Sequence, residues 1–265
     1  MEEIIFEKNK TYLGDCLEIM QQFPDGIFDM ILCDLPYGIT QNKWDNIIPL
    51  DKLWEQYKRI IKANGAIVLF GSEPFSSMLR VSNIDNFKYD WVWNKILKTG
   101  HLNSKKMPMS QHEIISVFGY NKINYYPIME KGKPVHSRGR KKGNMDSDNY
   151  GKQSLDFIDK TGNTEKYPSS LSLVFQKVHP SKCVHPTEKP VALFEYLIKT
   201  YTNKGELILD NCAGSGTLGE ACYNTKRDYV MIEKEEKYFD CIKKREENFL
   251  KSFSQKTLFD ERLYL

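Results

Sequence analysis

Apolar residues recur along this chain in two alternating rhythms. FDMILCD (28–34) and AIVLFG (66–71) are apolar nearly throughout, as strands buried on both faces are. Between them, LDKLWEQYKRIIKAN (50–64) brings Leu53, Trp54, Tyr57, Ile60 and Ile61 to one face of a helix, and Asn64-Gly65 reads as its stop. With KTYLGD as an earlier strand, strand, helix and strand follow in the order that predicts βαβ units, hence an α/β, doubly wound, mostly parallel sheet. YDWVWNK (89–95) and HEIISVFG (112–119) read as further strands. From about 120 to 182 the periodicity fades, and MEKGKPVHSRGRKKGNMDSDNYGKQ is rich in Gly, Lys, Ser and Asn with no apolar pattern. This predicts an excursion at 120–182 inside a single domain over 1–265. Order returns with a helix opened by Pro190, then strand ELILD, a glycine-rich turn, helix LGEACYNT, strand DYVMIE and the charged helix KEEKYFDCIKKREENFLKSF.

Composition narrows the class. An apolar content of 40% and a charged content of 28% are ordinary for a globular protein long enough to bury a core. No apolar run approaches membrane-spanning length, and the acidic start MEEIIFEKNK lacks the basic and apolar segments of a secretory signal, so a cytoplasmic location is expected. The six cysteines, at 16, 33, 183, 212, 222 and 241, form no C-x-x-C pair and read as reduced thiols. His179, Cys183 and His185 lack an evident fourth ligand, and both histidines precede prolines, so no metal is expected. The net charge of +3 hides an asymmetry. Lys95 to Lys142 holds eleven basic residues against Glu113 and Glu130, a balance of +9 that leaves −6 for the remainder. Such a segment suits a polyanion.

ELILDNCAGSGTLGEA carries the first candidate chemistry. Gly214, Gly216 and Gly219 satisfy G-x-G-x-x-G, and Glu233 ends the next strand nineteen residues beyond Gly214. A dinucleotide site would set its first glycine closer to the strand end, whereas Asp210, Asn211, Cys212 and Ala213 intervene here. About fifty residues follow the turn, too few for the rest of a dinucleotide domain. An acid followed by AGSG suits a ligand with an amino-acid end and a ribose but no phosphate. Asp210 would meet its amine and Glu233 its ribose hydroxyls. S-adenosylmethionine has these parts.

MILCDLPYGIT (30–40) fits the other substrate of such a cofactor. Methylating an exocyclic amine is difficult because the nitrogen lone pair is delocalised into the ring. Two acceptors on its N–H bonds favour the tetrahedral nitrogen of the transition state. Asp34 supplies one and the Leu35 carbonyl the other. Pro36 restricts Leu35 to extended geometry, Tyr37 offers a ring to an extruded base, and Gly38 lets the chain turn away.

DLPY resembles the D-P-P-Y motif of DNA amino-methyltransferases, and HPTEKP followed by LILDNCAGSGT is similar to their H-P-T-x-K-P helix and cofactor loop. The order, catalytic motif first, resembles the permuted beta group. The likeness covers nearly the whole chain except roughly 120–180, where the family keeps a variable target-recognition region. It implies a Rossmann-like, circularly permuted methyltransferase fold, S-adenosyl-L-methionine as cofactor and double-stranded DNA as substrate. It also implies that Asp34, Leu35, Pro36 and Tyr37 form the catalytic pocket. Asp15, Thr187, Lys189, Asp210, Ala213, Gly214, Gly216 and Glu233 match cofactor positions, and Asp34 borders both groups. Alone, Asp15 is equally a helix cap. Two residues depart from the pattern: Leu35 replaces a proline and Ala213 a phenylalanine. Asp at position 34 leans toward adenine N6, with cytosine N4 as the alternative; RNA methylation and a nicotinamide oxidoreductase rank below both. Lys105, Lys106, Arg138, Arg140, Lys141 and Lys142 are the candidate phosphate contacts. A homodimer follows from the resemblance only. A cognate restriction endonuclease is left open, as are the bases recognised.

Overall fold

The computed structural model describes residues 4–40, 42, 45–136, 143–149, 151–155, 160–178 and 188–262. In chain order the elements are β1 (Lys10–Leu13), α1 (Cys16–Met20), β2 (Phe28–Cys33), α2 (Leu50–Ile60), β3 (Ile61–Gly71), α3 (Phe75–Val81), β4 (Phe87–Thr99) and β5 (Ser110–Phe118). The short strands β6 (Glu130–Lys131), β7 (Gly143–Ser147), β8 (Gly151–Leu155), β9 (Glu165–Lys166) and β10 (Leu173–Val174) follow. The chain ends with α4 (Val191–Tyr201), β11 (Leu207–Asp210), α5 (Thr217–Thr225), β12 (Asp228–Glu233) and α6 (Glu236–Arg262).

Among the described residues, eight strands form one sheet in the order β1-β12-β11-β2-β3-β5-β4-β10. Every neighbouring pair is parallel except those made by β5, which runs against β3 and β4. The period of two in β2 explains how the sheet is covered. Ile31 and Cys33 pack on one face with Leu53 and Tyr57 of α2 and Phe75 of α3. Met30 and Leu32 pack on the other with Leu197 of α4, Leu218 of α5 and Ile242 of α6. Both faces are buried, which is why β2 is apolar without alternation.

Two details differ from the sequence reading. Helix α2 stops at Ile60 because Ile61 is already extended and pairs with Phe28. Asn64-Gly65 instead marks an irregularity in β3, where a Cβ on Gly65 would come within 2.9 Å of the Asp29 carbonyl. Within 120–182, residues up to Tyr126 and from Ser170 belong to the unit built on the large sheet. Tyr126 donates its N–H to the Thr200 carbonyl, and β10 extends the sheet beside β4. Pro127–Ser169 forms a second compact unit, with the antiparallel ribbons β6-β9 and β7-β8.

Candidate active site

The site arises from where two strands end. β2 and β11 are parallel neighbours in register Ile208↔Met30 and Leu209↔Ile31, so Asp34 and Asp210 emerge at the same sheet edge. From β2 the chain leaves through α2 toward β3. From β11 it leaves through α5 toward β12, on the opposite side. That divergence opens a crevice beyond the strand ends, where α/β sheets bind their ligands. One cavity of about 660 Å³ fills it and is lined by both the DLPY segment and the glycine turn. Asp15, Asp34, Leu35, Pro36, Tyr37, Lys189, Asp210, Ala213, Gly214 and Glu233 all face it. Gly216 does not; it precedes α5 with φ 74°, and a Cβ there would press on Ile242 at 3.0 Å. Thr187, Arg138, Arg140, Lys141 and Lys142 lie outside the described residues, as do His179, Cys183 and His185.

At the β2 end, Asp34 accepts the Tyr37 hydroxyl at 2.6 Å and the Lys189 ammonium at 2.6 Å. Phe75 stacks on Tyr37 with centroids 5.1 Å apart, which fixes the plane of the Tyr37 ring at the cavity wall. Gly38 (φ 68°) turns the chain, and Asp45 gathers the following loop by accepting N–H groups from Gly38 (2.8 Å), Ile39 (3.0 Å) and Thr40 (2.7 Å). Burial would raise the Asp45 carboxyl, but the Thr40 hydroxyl and these N–H bonds outweigh it and hold it below the usual range. Asp45→Ala orphans three donors at once. It is expected to lower stability by about 1–3 kcal/mol and to slow turnover, read by thermal melting and by rate.

Lys189 is shared. Its Nζ lies 3.3 Å from Glu113 Oε2, while Glu113 Oε1 meets Lys95 at 3.4 Å. The ammonium also sits over the rings of Phe70 (5.3 Å), Tyr37 and Trp93 (both 6.0 Å). Burial raises the Asp34 carboxyl, and Lys189 offsets this only in part. Burial acts on Glu113 too, but Lys189 and Lys95 together draw it down. Burial favours a neutral Lys189, yet the two carboxylates keep it charged. Burial likewise keeps the Tyr37 phenol protonated, so it donates.

On the β11 side, Asp210 accepts the Cys212 N–H at 3.1 Å and is pushed up to about 7, first by burial, with the charges of Asp34 and Glu233 adding to it. Glu233 accepts the N–H groups of Gly214 (2.7 Å) and Glu235 (2.8 Å), which ties the glycine turn to the end of β12. Asp15 does two things: it caps α1 through the Leu17 N–H (2.9 Å) and lines the cavity.

The profile of the N6/N4 methyltransferase family, described as DNA methylase, matches residues 28–244. This chain belongs to that family. The methyltransferase is 26% identical to the Type II methyltransferase M2.MboI of Moraxella bovis over 90% of its own length and 88% of that protein. It is 26% identical to M.HinfI of Haemophilus influenzae over 92% and 70%. Among solved structures it is similar to a complex of M1.HpyAVI with SAM (TM-score 0.60, 24% identity, 89% of this chain and 98% of that one). It is also similar to the cytosine-N4-specific PvuII DNA methyltransferase (TM-score 0.61, 16% identity, 88% and 84%). It is thus a beta-group DNA methyltransferase of the N6/N4 family, with a Rossmann-like α/β fold, S-adenosylmethionine as cofactor and DNA as substrate. The cavity suits that cofactor in volume and in its acids at both strand ends. Among the described residues no helix is long and apolar enough to cross a membrane, and no group of three or more His, Cys, Asp or Glu is placed to hold a metal ion.

Sequence reasoning missed Lys95 and Glu113 as site residues. Lys95 was counted with the basic segment, but it is buried and ion-paired inside the cavity. The signal was the period of two: Lys95 continues Trp91 and Trp93, and Glu113 precedes Ile115 and Val117, all on the inward face.

Proposed function

We propose that this methyltransferase modifies the N6 amine of an adenine flipped out of double-stranded DNA, using Asp34, Leu35, Pro36 and Tyr37 as the pocket for the amine. The observation that carries this reading is that Asp34, at the end of β2, and the glycine turn after β11 line one and the same cavity. S-adenosylmethionine supplies an electrophilic methyl group on a sulfonium centre. Asp34 and the Leu35 carbonyl accept the two N–H bonds of the target amine and localise its lone pair. Tyr37, which lines the cavity, offers its ring to the base. Asp210 receives the cofactor's ammonium, Glu233 the ribose hydroxyls and Asp15 the adenine side, with Thr187 and Lys189 toward the cofactor carboxylate. The region 120–182 reads the target sequence.

Labelled S-adenosylmethionine incubated with mixed-sequence duplex DNA, then digested to nucleosides, tests the reading. N6-methyladenine is expected; N4-methylcytosine would move the chemistry to the alternative amine, and no transfer to DNA would overturn both.

Two outcomes follow from the geometry. Because Asp210 titrates at about 7, cofactor affinity should weaken as pH falls from 8 to 6, where the carboxylate that meets the ammonium is lost. Asp210→Asn should bind weakly and flatten that dependence in an equilibrium titration. Lys105 and Lys106 are exposed on the β4–β5 connection. Changing both to Ser should reduce the salt slope of DNA binding by roughly two, since each phosphate contact contributes about one.

A further inference from the structure

The hairpin of β4 and β5 ends in a segment for which the chemistry above has no use. From Tyr89↔Val117 to Asn94↔His112 β4 pairs regularly with β5, and pairing resumes only at Thr99↔Ser110, so the β4 side of this interval holds three extra residues. In that interval Ile96 takes φ 63°, a strained conformation for a β-branched residue. The bulge turns Ile96, Leu97 and Lys98 to solvent directly after buried Lys95. Beyond it, Gly100 (φ 85°) starts a short turn that leaves Leu102 88% and Met107 58% exposed, with Lys105 and Lys106 exposed between them. No acid occurs between Asp90 and Glu113. Thr99 and Ser110, at the root of the tip, line the cavity that holds Asp34.

A large apolar side chain set out in water among lysines suits a partner that is anionic outside and apolar inside. Duplex DNA is such a partner. A base extruded into the cavity leaves a gap in the stack, and unstacking costs free energy that an inserted apolar side chain offsets. We infer that the tip of the β4–β5 hairpin enters the duplex beside the cavity, with Leu102 filling the space vacated by the target base while Lys98, Lys105 and Lys106 hold the flanking phosphates. This rests on the proposal that the base is flipped from double-stranded DNA. Met107, on the same tip, packs against the neighbouring base step.

Leu102 is exposed, so its replacement leaves the fold intact. The test compares full-length wild type, Leu102→Ala and Leu102→Met on two short duplexes carrying the methylated site mapped from plasmid DNA. In one the target base is normally paired; in the other it faces an abasic position and is already loose. On the paired duplex Leu102→Ala should slow single-turnover methylation about tenfold or more. On the abasic duplex it should nearly match wild type, and Leu102→Met should stay near the wild-type rate on both. Cofactor affinity should be unchanged. An equal loss on the two duplexes, or no loss on the paired one, overturns the wedge. Wild-type protein that methylates neither duplex overturns the flipped-base reading itself, and the wedge with it.

Discussion

Asp34→Ala is expected to lower methyl transfer by roughly 10²–10³-fold or more, the loss typical when one preorganised hydrogen-bond partner of a developing charge is removed. The nitrogen of an aromatic amine becomes nucleophilic only as its lone pair leaves the ring, and in the proposed chemistry the carboxylate favours that change. Cofactor affinity should fall far less, because Asp210, Glu233 and the glycine turn are untouched. Stability should fall less than it does when Lys189 is removed. Burial raises the Asp34 carboxyl above its ordinary range, so its ionised form is held at a cost, and Lys189 keeps Glu113 as a partner after the change. Asp34→Asn retains the shape and one acceptor but turns an amide donor toward the Tyr37 hydroxyl or the Lys189 ammonium, which both donate to this position. It should be nearly as inactive as the alanine variant. The raised carboxyl also sets a direction: wild-type turnover should fall on acidification at a pH above that of an ordinary aspartate. Single-turnover rates with a separate measurement of cofactor binding check all of this. Near-normal turnover in either variant would remove Asp34 from the chemistry.

Most of the framework was legible because local signals and tertiary structure agree. The continuous apolar run of β2, the one-sided pattern of α2 and the Pro190 start of α4 each reflect one physical constraint, burial or backbone geometry. The meeting of Asp34 with Asp210 was legible only as chemistry. Nothing local reveals that β11 inserts between β12 and β2, which is a matter of pairing across nearly two hundred residues. Lys95 and Glu113 were passed over for another reason. A charged residue is expected outside, and the parity of its strand argues otherwise only when its opposite charges are known to be at hand. Asp45 escaped notice because its partners are backbone N–H groups, which carry no side-chain signature. At Asn64-Gly65 a stop signal was read correctly as punctuation but assigned to the wrong element, since a helix terminus and a strand irregularity both favour glycine.

The buried cluster around Lys189 carries the largest expected effect on stability. One ammonium serves two carboxylates there, and removing it in Lys189→Met leaves Asp34 and Glu113 close together with only Lys95 to balance them. Breaking a buried ion pair on one side typically costs about 3–5 kcal/mol, and a loss of that size is expected at pH 8. Its pH dependence separates charge from packing. In the wild type, Glu113 is held below its ordinary range, so its contribution is present above the unfolded-state value and is lost only as pH falls through the lower folded one. Without Lys189 the two acids repel and burial is less opposed, so both are pushed upward. Groups raised in the folded state destabilise it progressively as pH rises from their unfolded values through their folded ones. The deficit of Lys189→Met should therefore shrink between pH 8 and pH 5.5, whereas a lost packing contact would give a deficit independent of pH. Adding Glu113→Gln to Lys189→Met should recover much of the stability at pH 8, because it removes the charge left uncompensated. Activity should not return with it, since Lys189 faces both Asp34 and the cavity. Thermal melting of the two single variants and the double variant at both pH values measures the coupling. Additive losses with no pH trend would show the lysine to be held by its rings and alkyl contacts rather than by the carboxylates.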